Sequence, residues 1–203
     1  MIVIVDYGLG NLTSVANALE KIKVKYKIST ELEDIKNADK LILPGVGAFE
    51  QGMINLKERN LILTLNEEVL IKKKPILGIC LGMQLMCKKS FEDGEFSGLG
   101  WFDTEVIKFN FNREKLRIPH VGWNDVFCDT NSPLFKGENE IQTFYFVHSY
   151  YPVPKDERLI VGRCNYGIDF CAVLQKGNIF AVQFHPEKSQ SEGLRLLKKF
   201  AAL

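Results

Sequence analysis

The chain has 203 residues, 46% hydrophobic and 25% charged, enough to bury a sizeable core in one globular domain spanning residues 1–203. A formal net charge of +1 leaves no basic footprint for nucleic acid or an anionic membrane, and no apolar run nears the roughly 18 residues of a membrane span. Met1-Ile2-Val3-Ile4-Val5 meets Asp6 too soon for a secretory signal, and five cysteines without a Cys-x-x-Cys pair argue against a disulfide framework or a structural zinc site, so a reducing, cytoplasmic setting is expected.

In chain order, β-rich runs alternate with helical patterns through the first half: Ile2–Val5, then Leu12–Ile22; Tyr26–Ser29; Leu41–Leu43, then Ile54–Lys72; Ile76–Ile79, then Leu81–Lys88. Such alternation predicts an α/β fold whose mostly parallel central sheet is flanked by helices. Sites of these sheets lie at the C-terminal ends of the strands, and three Gly-rich turns fall there: Asp6–Asn11, Pro44–Gly47, and Gly78–Gly82. From about Gly98 the pattern changes to Trp101–Phe109, Val121–Phe127, Phe144–Tyr150, Leu159–Cys164, Cys171–Gln175 and Ile179–Phe184, read as a smaller second sheet, antiparallel or mixed. The polar stretch Asn110–Lys115 reads as a mobile loop, and Gln190–Ala202 closes the chain as a helix, with Leu194, Leu197 and Ala201 at helical spacing.

The most informative pentad is Gly78-Ile79-Cys80-Leu81-Gly82. A strand ending in Gly-x-nucleophile-x-Gly and turning into a helix is a nucleophile elbow, here with a thiol, and the helix N-terminus behind the sulfur favours the thiolate. A buried packing cysteine explains the pentad alone about as well. A nucleophilic thiol also needs a base and a group to orient that base. Of three histidines, His185 ends an apolar run and is followed two residues later by Glu187, so one ring nitrogen can bond Glu187 while the other faces Cys80. Donors for an oxyanion are available from the Leu81 N–H and from the turn at Val46-Gly47. His120 and His148 lack a carboxylate partner in their motifs and read as structural, while Cys87, Cys128, Cys164 and Cys171 read as packing residues.

Taken together, Gly78–Gln84, the Pro-Gly-Val-Gly turn and Gln183-Phe184-His185-Pro186-Glu187 resemble the class I (triad) glutamine amidotransferases over nearly the whole chain. The segments Asp6–Asn11, Pro119–Asn124 and Phe146–Tyr150 look most like a histidine-biosynthetic branch of that family. The resemblance implies a glutaminase with no cofactor and no metal, in which Cys80 attacks the glutamine side-chain amide, His185 shuttles the proton and Glu187 orients His185. It implies that Gly47 and Leu81 line the oxyanion hole, that Val46 is a switch position whose peptide reorients on partner engagement, and that Gln84, Ser149 and Tyr150 hold the glutamine ends. It also implies a heterodimer with a (βα)8-barrel synthase subunit that receives the ammonia, the contact being made by Asn11, Trp123, Tyr145 and Lys188. Gln190 departs from the pattern, because glycine is commoner there in the histidine branch. Two alternatives therefore stay open: ammonia supply for amidating a surface-polysaccharide or flagellar sugar, and a partner-independent cysteine hydrolase.

Overall fold

A computed structural model describes residues 1–111 and 116–203, so part of the stretch expected as a mobile loop, residues 112–115, lies outside the described residues. The first strand, β1 (Ile2–Val5), is buried throughout, as expected of a strand covered on both faces. Helix α1 (Leu12–Lys21) follows, its N-terminus capped where Asn11 Oδ1 accepts the Ser14 N–H at 3.3 Å. Then come β2 (Tyr26–Ser29), the short α2 (Leu32–Asn37), and β3 (Lys40–Gly45). Helix α2 buries only Ile35, so it carries no apolar stripe for sequence periodicity to detect.

The helix expected over 54–72 is three pieces: α3 (Phe49–Glu58), α4 (Leu61–Asn66) and a π-helical turn at Glu67–Ile71. The break lies at Asn60, whose left-handed backbone (φ 55°) stops a helix and suits asparagine better than most residues. Strand β4 (Ile76–Cys80) runs directly into α5 (Leu81–Leu85). That helix ends sooner than expected because the next residues leave it for β5 (Cys87–Ser90), which pairs with a later strand.

The remaining elements are β6 (Phe96–Ser97), β7 (Phe102–Lys108), β8 (His120–Cys128), β9 (Ile141–His148), β10 (Tyr150–Pro154), β11 (Ile160–Asn165), β12 (Asp169–Lys176), β13 (Ile179–Val182) and α6 (Gln190–Ala202). They form a nine-stranded sheet in the order β2-β1-β3-β4-β13-β12-β11-β8-β9 and a four-stranded sheet in the order β10-β7-β5-β6. Pairing is parallel from β2 to β13 and antiparallel from β13 to β9. Of the six segments predicted beyond Gly98, only Trp101–Phe109, which gives β7, joins the small sheet, alongside β10, which the prediction lacked; the other five extend the large one. The reversal is a hairpin at Gly177-Asn178, where Lys176 pairs with Ile179 and Gly177 has φ 58°. Each further hairpin or return then adds an antiparallel neighbour.

Both faces of the large sheet are covered along β1, β3, β4 and β13, whereas β8 and β9 leave one face open, with Val121, Trp123, Phe127 and Ile141 exposed. Alternation along β1 sends Ile2 and Ile4 into one core with Leu19 and Leu197 of α1 and α6, and Val3 and Val5 into the other with Leu56, Leu65 and Leu85. The two cores leave the C-terminal ends of β3, β4 and β13 side by side at one edge of the parallel region.

Candidate active site

Cys80 is the last residue of β4, and His185 follows three residues after β13, the parallel neighbour of β4 with Val182 opposite Ile79. Two residues 105 positions apart in sequence are thus delivered to the same end of adjacent strands. Cys80 adopts φ 54°, ψ −109°, a conformation costly to any residue with a Cβ, by about 1–3 kcal/mol. The surroundings enforce it: a Cβ on Gly82 would lie 1.8 Å from the Leu43 carbonyl oxygen, so α5 packs its first turn against the β3 backbone with no room for a side chain.

The imidazole of His185 is buried, and its Nδ1 lies 2.7 Å from Glu187 Oε1, itself on a side chain only 1% exposed. The carboxylate accepts, so Nδ1 carries the hydrogen and Nε2 is left with the lone pair in the neutral ring. Nε2 is buried and makes no hydrogen bond among the described residues. Burial disfavours the imidazolium, but the Cys80 sulfur and then Glu187 outweigh it, raising His185 from 6.5 to about 10. The ring therefore keeps its proton through neutral pH. The backbone holds it as well: the His185 N–H donates to Tyr145 O (2.9 Å) and Ser189 Oγ donates to His185 O (2.6 Å).

Beside Cys80 a cleft of about 260 Å³ is lined by Val46, Gly47, Leu81, Gln84, Ser149 and Tyr150, so the residues predicted for the oxyanion turn and for glutamine recognition share one cavity with the nucleophile candidate. Gly47 has φ 114°, a backbone open at little cost only to glycine. Leu81 is the first residue of α5, where backbone N–H groups have no intrahelical partner. The same cleft holds Glu92, which sequence reasoning missed. Its Oε2 accepts the Phe49 N–H at 2.7 Å, capping α3 just beyond the Gly47 turn, and burial pushes its carboxyl up despite that bond. Nothing local marks it: Glu92 stands in a polar run with Asp93 and Glu95, and only the folded chain brings it to Cys80.

Of the residues predicted to meet a partner, three lie together. The Trp123 and Tyr145 rings, cross-strand neighbours on β8 and β9, meet edge to face at 5.9 Å, and Lys188 Nζ sits 5.8 Å from the Tyr145 ring centroid. Trp123 is 47% exposed, not a core residue. Asn11 is half-buried and its oxygen is occupied in capping α1. Gln190 takes a left-handed backbone (φ 48°), which explains why glycine suits that position, and with Glu187 and Lys188 it borders a second hollow of about 290 Å³ between α1 and α6.

His120 and His148 are buried and paired. His148 Nδ1 donates to Tyr150 O (2.8 Å), so its Nε2 must accept from His120 Nδ1 (3.1 Å). Burial lowers His120 to about 4 and His148 to about 3. With folded values below the ordinary 6.5, the unfolded chain takes up protons first as pH falls, so this contribution is complete above about pH 6.5 and declines from there toward pH 4. His185, raised instead, gives a contribution already complete below pH 6.5 and does not compensate. The midpoint of urea unfolding should therefore drop between pH 7 and pH 5; an unchanged midpoint contradicts a neutral buried pair.

Residues 3–202 match the family model "Glutamine amidotransferase class-I". The chain is 48% identical over 203 residues to imidazole glycerol phosphate synthase subunit HisH 2 of Pseudomonas aeruginosa, and 51% identical over 203 residues to subunit HisH 1 of Campylobacter jejuni, each alignment covering 100% of both chains. Subunit HisH 2 of Methanococcus maripaludis is 45% identical over 98% of each chain. Among solved structures, a glutamine amidotransferase superposes with a TM-score of 0.74 over 100% of both chains at 20% identity, a likeness of fold.

Proposed function

The chain belongs to the class I glutamine amidotransferases, and from that premise we propose that it is the glutaminase subunit of an imidazole glycerol phosphate synthase, acting in histidine biosynthesis through a Cys80-His185-Glu187 triad. One observation supports this chemistry: the parallel pairing of β4 and β13 brings Cys80 and the segment bearing His185 to the same end of the sheet, where His185 Nδ1 is bonded to Glu187. Full-length identities of 45–51% to HisH subunits support the pathway.

Glutamine enters the cleft side chain first, and Cys80 Sγ attacks the carboxamide carbon. The oxyanion is received by the Leu81 N–H and by the turn at Val46-Gly47. His185 gives its Nε2 proton to the nitrogen as the tetrahedral adduct collapses, and ammonia leaves behind a γ-glutamyl thioester. The now neutral ring takes a proton from water, which attacks the thioester and releases glutamate. Ser149 and Tyr150 border the glutamine end of the cleft with Gln84. Glu92, the one carboxylate lining the cleft among the described residues, is the group suited to the substrate α-ammonium. Glu92→Gln keeps an oxygen for the Phe49 N–H but loses the charge, so KM for glutamine should rise roughly 10- to 100-fold with kcat little changed. Steady-state kinetics checks this, and an unaltered KM removes Glu92 from recognition.

Ammonia passes to a (βα)8-barrel partner that docks over Trp123, Tyr145 and Lys188 beside Asn11, and there it enters the synthesis of imidazole glycerol phosphate and an aminoimidazole carboxamide ribotide. The test is glutamate release with and without the barrel subunit and its ligand. Stimulation of about tenfold or more is expected. A rate indifferent to the partner marks a free-standing cysteine hydrolase instead.

A further inference from the structure

A buried amide in the structure has a use that neither the triad nor the glutamine cleft assigns. Gln183 is fully buried one residue past β13, and its Nε2 donates to Cys80 Sγ at 3.7 Å. Its Oε1 accepts from Gln84 Nε2 at 3.2 Å, and that same nitrogen also donates to the Tyr150 carbonyl at 3.1 Å. A buried amide is retained at such a place only with its bonds made, since an unsatisfied one costs about 1–3 kcal/mol.

The direction of this chain is fixed at its far end. A carbonyl oxygen only accepts, and Tyr150 O already receives the His148 Nδ1–H at 2.8 Å. Gln84 must therefore present its NH2 group to Tyr150, and both of its hydrogens are spent, one on Tyr150 O and one on Gln183. Gln183 is thereby made to turn its oxygen toward Gln84 and its NH2 toward the sulfur. Reversing Gln84 would set its oxygen against two acceptors, and reversing Gln183 would set donor against donor at Gln84 and an oxygen against the sulfur. The peptide of Tyr150 thus decides, through two side chains, that the group facing the nucleophile is a donor.

We propose that Gln183 is a positioning residue for the nucleophile: its fixed N–H holds Cys80 Sγ in its reactive place and offsets negative charge on the sulfur before attack and when the thioester breaks. The proposal rests on Cys80 being the nucleophile. It also restricts Gln84, whose remaining oxygen can receive the substrate's amide or ammonium hydrogens but cannot donate to its carboxylate.

The test reads the sulfur directly, without glutamine, as the rate of Cys80 carboxamidomethylation by iodoacetamide at pH 7.5, followed by mass spectrometry of the Cys80 peptide. In Gln183→Met, which keeps the length and loses the donor, the rate should fall about tenfold, the size of one hydrogen bond to a charged group. The kcat for glutamine should fall by a similar factor with KM within about twofold, a split that general loosening of the cleft would not give. Gln183→Glu keeps the shape and sets an acceptor against the sulfur, so its rate should fall further. Either variant, folded and alkylating within twofold of the unsubstituted protein, overturns the proposal. Should neither fold, the unsubstituted protein decides: the Gln183 side-chain amide protons in its NMR spectrum should shift when Cys80 is alkylated, and protons that do not move overturn it. Loss of the wider reading looks different, since Cys80→Ala would then retain glutaminase activity whatever the alkylation rates.

Discussion

Cys80→Ala should lower glutamine hydrolysis by at least about four orders of magnitude, because Cys80 is the thiol that lines the cleft and the proposed acyl intermediate is its thioester. The four other cysteines are buried, and Cys87, Cys128, Cys164 and Cys171 all have thiols pushed well above their ordinary value by burial, so none can substitute as a thiolate. The same variant, assembled with the proposed barrel subunit, should still make product from added ammonium, since in that reading the step needs only the partner's chemistry. Two assays on one preparation separate the half-reactions: glutamate release and ammonium-dependent synthesis. Surviving glutamine-dependent turnover would remove Cys80 from the mechanism, while loss of both activities would mean that the substitution had damaged the assembly.

Glu187→Gln comes second in size. The amide keeps the shape of the carboxylate, but it can present its NH2 to His185 Nδ1, and the ring then moves its hydrogen to Nε2. A base with its lone pair turned away from Cys80 cannot accept the thiol proton. In a serine triad the equivalent change of orienting acid to amide costs about 10⁴ in kcat, and a loss of roughly 10² to 10⁴ is expected here with KM changed little. Glu187 is also one of the two groups raising His185, so the pH profile should move with it, the ring losing its proton at lower pH in the variant. A kcat within tenfold of the parent at pH 7.5 counts against the orienting role.

The elbow was legible because everything it requires is local: small residues at 78 and 82, an apolar strand before the cysteine, a helix after it. The alternation of strand and helix gave the parallel half of the sheet for the same reason. What failed to show was nonlocal. The periods of β8, β9, β11 and β12 mark them as strands but do not name their neighbours, and their membership of the large sheet depends on a hairpin at Gly177-Asn178 that stitches β12 to β13. Asn60 interrupts a run whose apolar spacing continues on both sides, so the spacing hides the break. Glu92 reaches the cleft from an unremarkable polar stretch. Gln183 left a partial trace: a polar residue inside the apolar run from Ile179 to Phe184 must find a hydrogen-bond partner in the interior, but that the partner is the Cys80 sulfur, 103 positions away, shows only in the fold.

Strand β9 is the last in the large sheet, and an outermost strand ordinarily offers its unused peptide groups to any other strand that comes by. Here Tyr145 gives its N–H to Ser189 Oγ at 3.0 Å and its carbonyl to the N–H of His185 at 2.9 Å, so the turn that carries the base also plugs the open rim of the sheet. Protection against self-association and alignment of the proton carrier are then one and the same set of bonds. A change that unseats this turn would unsettle solubility and turnover together, and the face proposed to meet a partner is built on the very strand being guarded.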